Sequence, residues 1–251
     1  MRLHHTAAAL AVLCCACQAQ IADGTGTSAS GVDANPDPTP GSDAAIDSMP
    51  VPLCASRSVY LNFEGQTLTQ GRSDATLNQA EWMQIPQGTA PPYLAGDTNR
   101  QGKIKAIVDG VSRQLSRFPI TVVTTRPATG RYVMIVYGGQ PGQVGSAFGG
   151  AVNRLDCDDS RPNDVAWMGD SIGGQRAINS SIGAIGFGLG MTATLDTRDC
   201  MCGWDNTCRP DASAPCTLGS PIARDGNANQ RCNGAGAMQD EVAALRKAFC
   251  Q

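Results

Sequence analysis

The alternation of apolar and polar positions divides this chain into a few elements separated by turn-rich stretches. Across Ser58 to Glu64, Val59, Leu61 and Phe63 alternate with Tyr60, Asn62 and Glu64, which predicts a strand with one buried face, ended by Gly65. From Gln66 to Pro92 only a short helix near Leu77 to Met83 is expected. Farther on, Ile104, Ile107, Val108, Val111, Leu115 and Phe118 recur at helical period. They predict a helix from Asn99 to Arg117, capped by Asp97 or Thr98 and stopped by Pro119. Two β-rich runs follow, Ile120 to Thr125 and Arg131 to Tyr137, with Arg126, Pro127 and Gly130 as turn residues between them. Asp164 to Met168 predicts a further short strand, and Gly138 to Gly150 a glycine-rich connector without a nucleotide-loop signature.

The longest apolar run, Ile178 to Cys202, is the stretch around which a core must form. Ile178, Ile182, Ile185 and Leu189 lie at helical spacing and predict a buried central helix, while Gly183, Gly186 and Gly190 offer a groove for another backbone. Each glycine weakens a helix interior by about 1 kcal/mol relative to Ala, so tertiary packing has to hold this helix. Its glycines and the polar Asn179, Ser180 and Ser181 make it a poor membrane span. A last helix is expected from Ala237 to Cys250, with Met238, Val242, Leu245 and Phe249 on one face. This order of elements predicts a mixed α+β domain.

Composition separates that domain from what precedes it. Residues 1–17 have one Arg, an apolar stretch from Ala7 to Leu13 and small residues before a cysteine, the layout of an export signal. Leu13 to Cys17 is lipobox-like, which makes Cys17 the expected lipidation site; cleavage after Ala19 and processing at Cys15 are the other processing routes, and a freely secreted protein with an ordinary leader is the alternative to an anchor. Residues 18–53 are Gly, Ser, Thr, Asp, Ala and Pro, with five aspartates and no basic residue, and predict a disordered linker. Residues 54–251 form one expected domain. Of the 19 basic and 22 acidic residues, 18 and 17 fall within it, so its near-neutral surface argues against nucleic acid as a partner and leaves the lipid anchor as the membrane contact. Gln18, after the expected acylated cysteine, leans the anchor toward the outer membrane. The expected location is therefore a bacterial outer-membrane lipoprotein of the cell envelope, or the extracellular space.

Eight cysteines belong to that domain: Cys54, Cys157, Cys200, Cys202, Cys208, Cys216, Cys232 and Cys250. In an exported chain, four disulfides of undeduced connectivity are expected.

Candidate chemistry is defined first by what is missing. The histidines are His4 and His5, both in the leader, so the domain has no imidazole for Ser-His-Asp or Cys-His catalysis or for a histidine-based zinc site. Several strings nevertheless resemble the zincin and metzincin metallopeptidases: SVYLNFEG as first strand, a long helix leading to FPITVVTTRP, the strand YVMIVYGG, and a buried helix followed by a Met-containing turn at Asp199 to Cys202. The resemblance implies a zincin-like fold, a mixed sheet packed on a long helix and a central buried helix with a disulfide-rich C-terminal region. In that family the buried helix carries HExxH, two metal-binding imidazoles and a general base. At the matching positions this chain has Ser180 and Ala184 for the imidazoles, Ser181 for the glutamate, and Gly190 or Met191 near the third ligand. Hydroxyl, methyl and hydrogen side chains cannot hold Zn²⁺, so the resemblance implies a degenerate relative, a pseudoenzyme with no catalytic residues, no metal and no cofactor.

Other groups carry weaker signals. Cys200, Cys202, Cys208 and Cys216 lack zinc-ribbon spacing. Asp225, Asn227 and Asn229 begin like a calcium loop, but Gln230 replaces the required glycine, so a solvated turn is expected. Asp156, Asp158, Asp159 and Asp164 fit a polar loop as well as an ion site. Glu64, Glu81 and Glu241 are the glutamates; Glu241 is expected to be exposed, and nothing pairs Glu64 with a second carboxylate. Trp82, Trp167 and Trp204 are expected to pack in the core or against disulfides. The function expected is binding of a peptide or protein ligand on an inactive metallopeptidase-like scaffold. The alternatives are an active extracellular hydrolase with a non-standard site and a structural cell-envelope component, whose groove over Ala184 and Gly188 would be filled.

Overall fold

A computed structural model describes residues 57–203, 208–228 and 232–249, all within a compact unit spanning 49–251. The leader, Cys17, the linker, Cys54, Cys250, Trp204 and Asn229 lie outside the described residues.

The domain is mixed α/β. At its centre, strand β1 (Ser58–Asn62) lies between β5 (Thr121–Val123) and β6 (Tyr132–Tyr137), parallel to both. Strand β8 (Val165–Met168) continues the sheet parallel to β6, and β7 (Gly150–Ala151) closes it as an antiparallel edge, in the order β5-β1-β6-β8-β7. Parallel neighbours need crossovers, and the crossovers cover both faces. This corrects the one-sided burial expected of β1: Val59 and Leu61 face one core, and Tyr60 faces another. The first core holds the inner stripes of helix α1 (Arg100–Leu115) and helix α3 (Gly174–Gly188), with Ile107, Val111 and Leu115 meeting Ile178, Ile182 and Ile185. The second holds Leu68, Ala80 and Ala90 from a three-stranded sheet of β2 (Gln66–Gln70), β3 (Gln79–Ala80) and β4 (Gln87–Ala90).

Element boundaries differ from the sequence pattern where local hydrogen bonds intervene. No helix forms near Leu77 to Met83: Asp74 accepts the Thr76 N–H on its side chain, Asn78 turns at φ +56°, and Gln79 enters β3. Helix α1 starts at Arg100, and Asp97 acts outside it by accepting the Asn99 N–H at 2.7 Å. The glycine-rich connector contains a four-residue helix, α2 (Pro141–Val144), before β7. Helix α3 begins four residues before Ile178 and stops at Gly188, because Gly190 turns the chain at φ +79°. The last helix, α4 (Glu241–Ala248), is capped by Asp240, whose side chain accepts the Ala243 N–H at 2.8 Å. Met238 therefore belongs not to a buried helix face but to β10 (Met238–Gln239), paired with β9 (Ile222–Ala223), and is half exposed.

Among the described residues, three disulfides staple the C-terminal region: Cys157–Cys232, Cys200–Cys216 and Cys202–Cys208. No helix among the described residues is long and apolar enough to cross a membrane. Trp82 and Trp167 pack together in the second core, ring centroids 6.3 Å apart.

Candidate functional site

A cavity of about 430 Å³ opens where the edge of the sheet meets the first half of α3. Its sheet wall is Phe148, Gly149, Gly150 and Met168; its helix wall is Arg176, Asn179 and Ser180, with Ile172 just before the helix; its floor is Asp199, Cys200 and Cys202.

The sheet wall is an edge strand with one partner, β8. Gly169 N–H donates to Gly149 C=O at 2.8 Å, and Gly150 and Ala151 stand opposite Met168 and Trp167. In an antiparallel pair the bonded residues alternate, so the N–H and C=O of Gly150 point away from β8. Met168 obeys the same alternation on its own strand, since its carbonyl turns to the other side and accepts Gly138 N–H at 2.9 Å. A Cβ at Gly150 would come within 3.1 Å of Ile172, so the glycine is what lets helix wall and sheet wall approach. Phe148 stands at the rim, 64 % exposed.

The helix wall is fixed by Asn179. Its amide donates to the carbonyls of Asp211 and Ala214 at 3.1 and 3.0 Å, and its oxygen accepts from Cys216 N–H at 3.1 Å and from Gln175 at 2.8 Å. All four hydrogen-bonding positions of that side chain are filled, so Asn179 straps the disulfide loop to α3. Arg176, one turn earlier, is exposed on the same wall.

The four positions matched to the metallopeptidase motif do not share one surface. Ser180 lines the cavity. Ser181 is fully buried on the opposite side, donating to Ala177 C=O at 2.6 Å and accepting from the Tyr137 phenol. Burial pushes that phenol above its ordinary range. Ala184 is part of the core between α1 and α3, and Gly190 forms the turn after α3 against the backbone of Asp156 and Cys157. None of these side chains is a metal donor, and the described residues contain no group of three or more His, Cys, Asp or Glu placed to hold a metal ion. A zinc ion of the kind those metallopeptidases hold does not fit this donor set. Gly188 is covered by the Asp164 carboxylate, whose oxygen would lie 2.2 Å from a Cβ there.

The floor holds a feature the sequence pattern did not indicate. Asp199 and Glu241, both essentially inaccessible, meet carboxyl to carboxyl. Asp199 Oδ1 accepts from Thr194 Oγ1 at 3.1 Å and Met201 N–H at 2.8 Å; the Glu241 oxygens accept from Gln239 Nε2 at 2.7 Å and Gly219 N–H at 2.8 Å. Burial raises both carboxyls, and burial with the adjacent Asp199 pushes Glu241 up to about 8. Two carboxylates in contact cannot both be charged cheaply, so the pair shares a proton at neutral pH. This corrects the exposed placement expected for Glu241. The first turn of α4 docks on Gly219, whose carbonyl accepts Glu241 N–H at 3.0 Å, and this carries the side chain inward. Glu64 does lie at the surface, paired with Arg100 at 3.0 Å.

The remaining acidic candidates have structural partners. Asp159 pairs with Arg57 at 2.9 Å, Asp156 accepts from Ser160 and from Arg161 N–H, and Asp225 accepts Asn227 N–H in a turn.

No protein-family description, no characterised protein and no solved structure matches this chain.

Proposed function

We propose that this is an exported, lipid-anchored binding protein on a catalytically inactive zincin-like scaffold, and that it holds an extended peptide as an added strand along β7. The carrying observation is the cavity beside that edge, lined by Gly150, whose N–H and C=O point away from β8. Main-chain pairing there supplies affinity without sequence preference, while Phe148, Met168 and Ile172 give apolar contact for alternate side chains.

Three features support the scaffold assignment. A largely parallel sheet with an antiparallel edge strand lies beside a buried helix, that helix ends at a left-handed glycine, and Met201 lies beneath it. The metzincin motif places a turning glycine seven residues after its first histidine. With Gly190 as that glycine, the motif falls on Gly183, Ala184, Phe187 and Ala193, three residues beyond the alignment through Ser180. Both alignments lack every ligand and the base. The three disulfides among the described residues suit an exported protein.

The test is amide NMR of the purified protein titrated with a random decapeptide pool. Binding shifts the resonances of Gly149, Gly150 and Ala151. Unmoved resonances there, or chelator-sensitive cleavage of the pool, overturn the proposal. A structural envelope component is the second reading, favoured by the burial of Ala184 and the seating of Asp164 over Gly188; it expects no shift at the β7 edge.

A further inference from the structure

We propose that the Asp199–Glu241 carboxyl pair is a proton-dependent latch for the floor of the β7 cleft, closed while the pair shares a proton and released when both groups ionise. This deepens the peptide-binding proposal and, in its link to ligand, rests on it.

The geometry gives the pair that position. Asp199, Cys200 and Cys202 form the cavity floor, and Asp199 Oδ1 organises their loop by accepting from Thr194 and from Met201 N–H. Its other oxygen, Oδ2, is buried and receives no N–H or hydroxyl from the described residues. It depends on the proton shared with Glu241. Glu241 belongs to α4, so that proton is a direct tie between the floor loop and the C-terminal helix.

Every element around the pair bears on its charge. The floor loop contributes Asp196, which opposes ionisation of Asp199. Beyond β9, Arg224 favours ionised Glu241 but is itself partly desolvated and is held by Thr192 Oγ1 and the Met238 carbonyl. From β10, Gln239 donates to Glu241, and from the loop before β9 the Gly219 N–H does the same. One nearby cation and these neutral donors accommodate one negative charge. Among the described residues, the second meets Asp196 and the first carboxylate, both of which oppose it, and the loop relieves the repulsion by moving away.

The test begins without peptide. Carboxyl carbon NMR of the protein should give one of the two groups a midpoint near 8, and hydrogen-exchange protection of Met201 and Cys202 should fall about tenfold between about pH 6.5 and about pH 9.5. Protection in β6 should stay constant. In Asp199→Asn the amide takes the place of the shared proton and the carbonyl keeps the bonds from Thr194 and Met201, so the fall should disappear. Ordinary carboxylate midpoints for both groups, or an undiminished fall in Asp199→Asn, overturn the latch; the titration of the native protein decides even where the variant fails to fold. The decapeptide pool is then added at both pH values. Weaker binding at the alkaline value in the native protein, but not in Asp199→Asn, supports the link to the cleft, and equal binding at both values overturns it. A pool that binds at neither pH, while the latch titrates as described, overturns peptide binding and with it the link, and leaves the latch standing.

Discussion

The sulfur of Met201 lies 2.6 Å from the point a Cβ on Gly186 would occupy, so the loop after α3 is seated in a notch made by the missing side chain. Gly186→Ala gains about 1 kcal/mol of helix propensity. It also drives a methyl into Met201 and toward the Met191 methyl 3.0 Å away, and overpacking of this kind costs about 1 to 3 kcal/mol. Net destabilisation of about 1 kcal/mol is expected in urea unfolding, and a stabilised variant would show that the loop shifts freely.

The Tyr137–Ser181 contact predicts an asymmetry between its two deletions. Tyr137→Phe leaves Ser181 still donating to Ala177 C=O and should cost about 1 kcal/mol. Ser181→Ala strands a buried phenol and should cost about 2 kcal/mol. Equal losses by thermal or urea unfolding would contradict the assigned donor and acceptor. Neither change should alter the peptide binding proposed for the β7 edge, because Ser181 faces the sheet and not the cavity.

Stability should fall as pH rises from about 4 to about 8. Burial pushes Asp164 up to about 7 and, with Asp199 beside it, Glu241 up to about 8. A carboxyl raised in the folded state binds more protons there than in the unfolded chain. Its contribution therefore declines from the ordinary carboxylate range up to its folded value and is flat above it. Each group alone gives a slope of about 1.4 kcal/mol per pH unit within its window. Asp164→Asn keeps an oxygen to accept from Asn153 and should flatten the curve below about pH 7, leaving the Glu241 portion. Urea midpoints across the range provide the check, and a native protein most stable at alkaline pH would refute the assignment.

The disulfides should differ in worth. Cys157–Cys232 closes a separation of 75 residues and Cys202–Cys208 one of 6. Chain-entropy estimates are about 4.5 and about 2.2 kcal/mol. Paired Cys→Ala replacement should lower the thermal midpoint more for the first than for the second; the reverse order would place the main constraint in the cleft floor.

Much of the fold was legible because its signals are local and periodic. The inner stripe of α1, the apolar run of β6 and the isoleucines of α3 each led to the element observed. The double burial of β1 was hidden, since alternation of Val59 and Leu61 with Tyr60 and Asn62 looks the same whether the second face meets water or a further sheet. At the N-terminus of α4, Asp240 had the residue type of a cap but sat inside a longer apolar pattern that masked it. The site was least legible. Gly150 and Asn179 act through backbone direction and tertiary partners, and the pairing of Asp199 with Glu241 joins positions 42 apart in sequence. The sequence does hold one clue to that pair: a glutamate directly after an N-cap aspartate, where a helix start can be anchored by its own first turn.

Strand β1 is made early and completed late. Its partners at Thr121–Val123 and Tyr132–Tyr137 follow it by 63 and 74 residues in register, so both of its edges stay open until those segments have been synthesised. Such distant pairing slows folding and leaves an apolar ribbon available to other chains in the meantime. Crowded refolding should therefore fail first through association at Val59–Leu61, and dilution or a bound holdase should restore the yield.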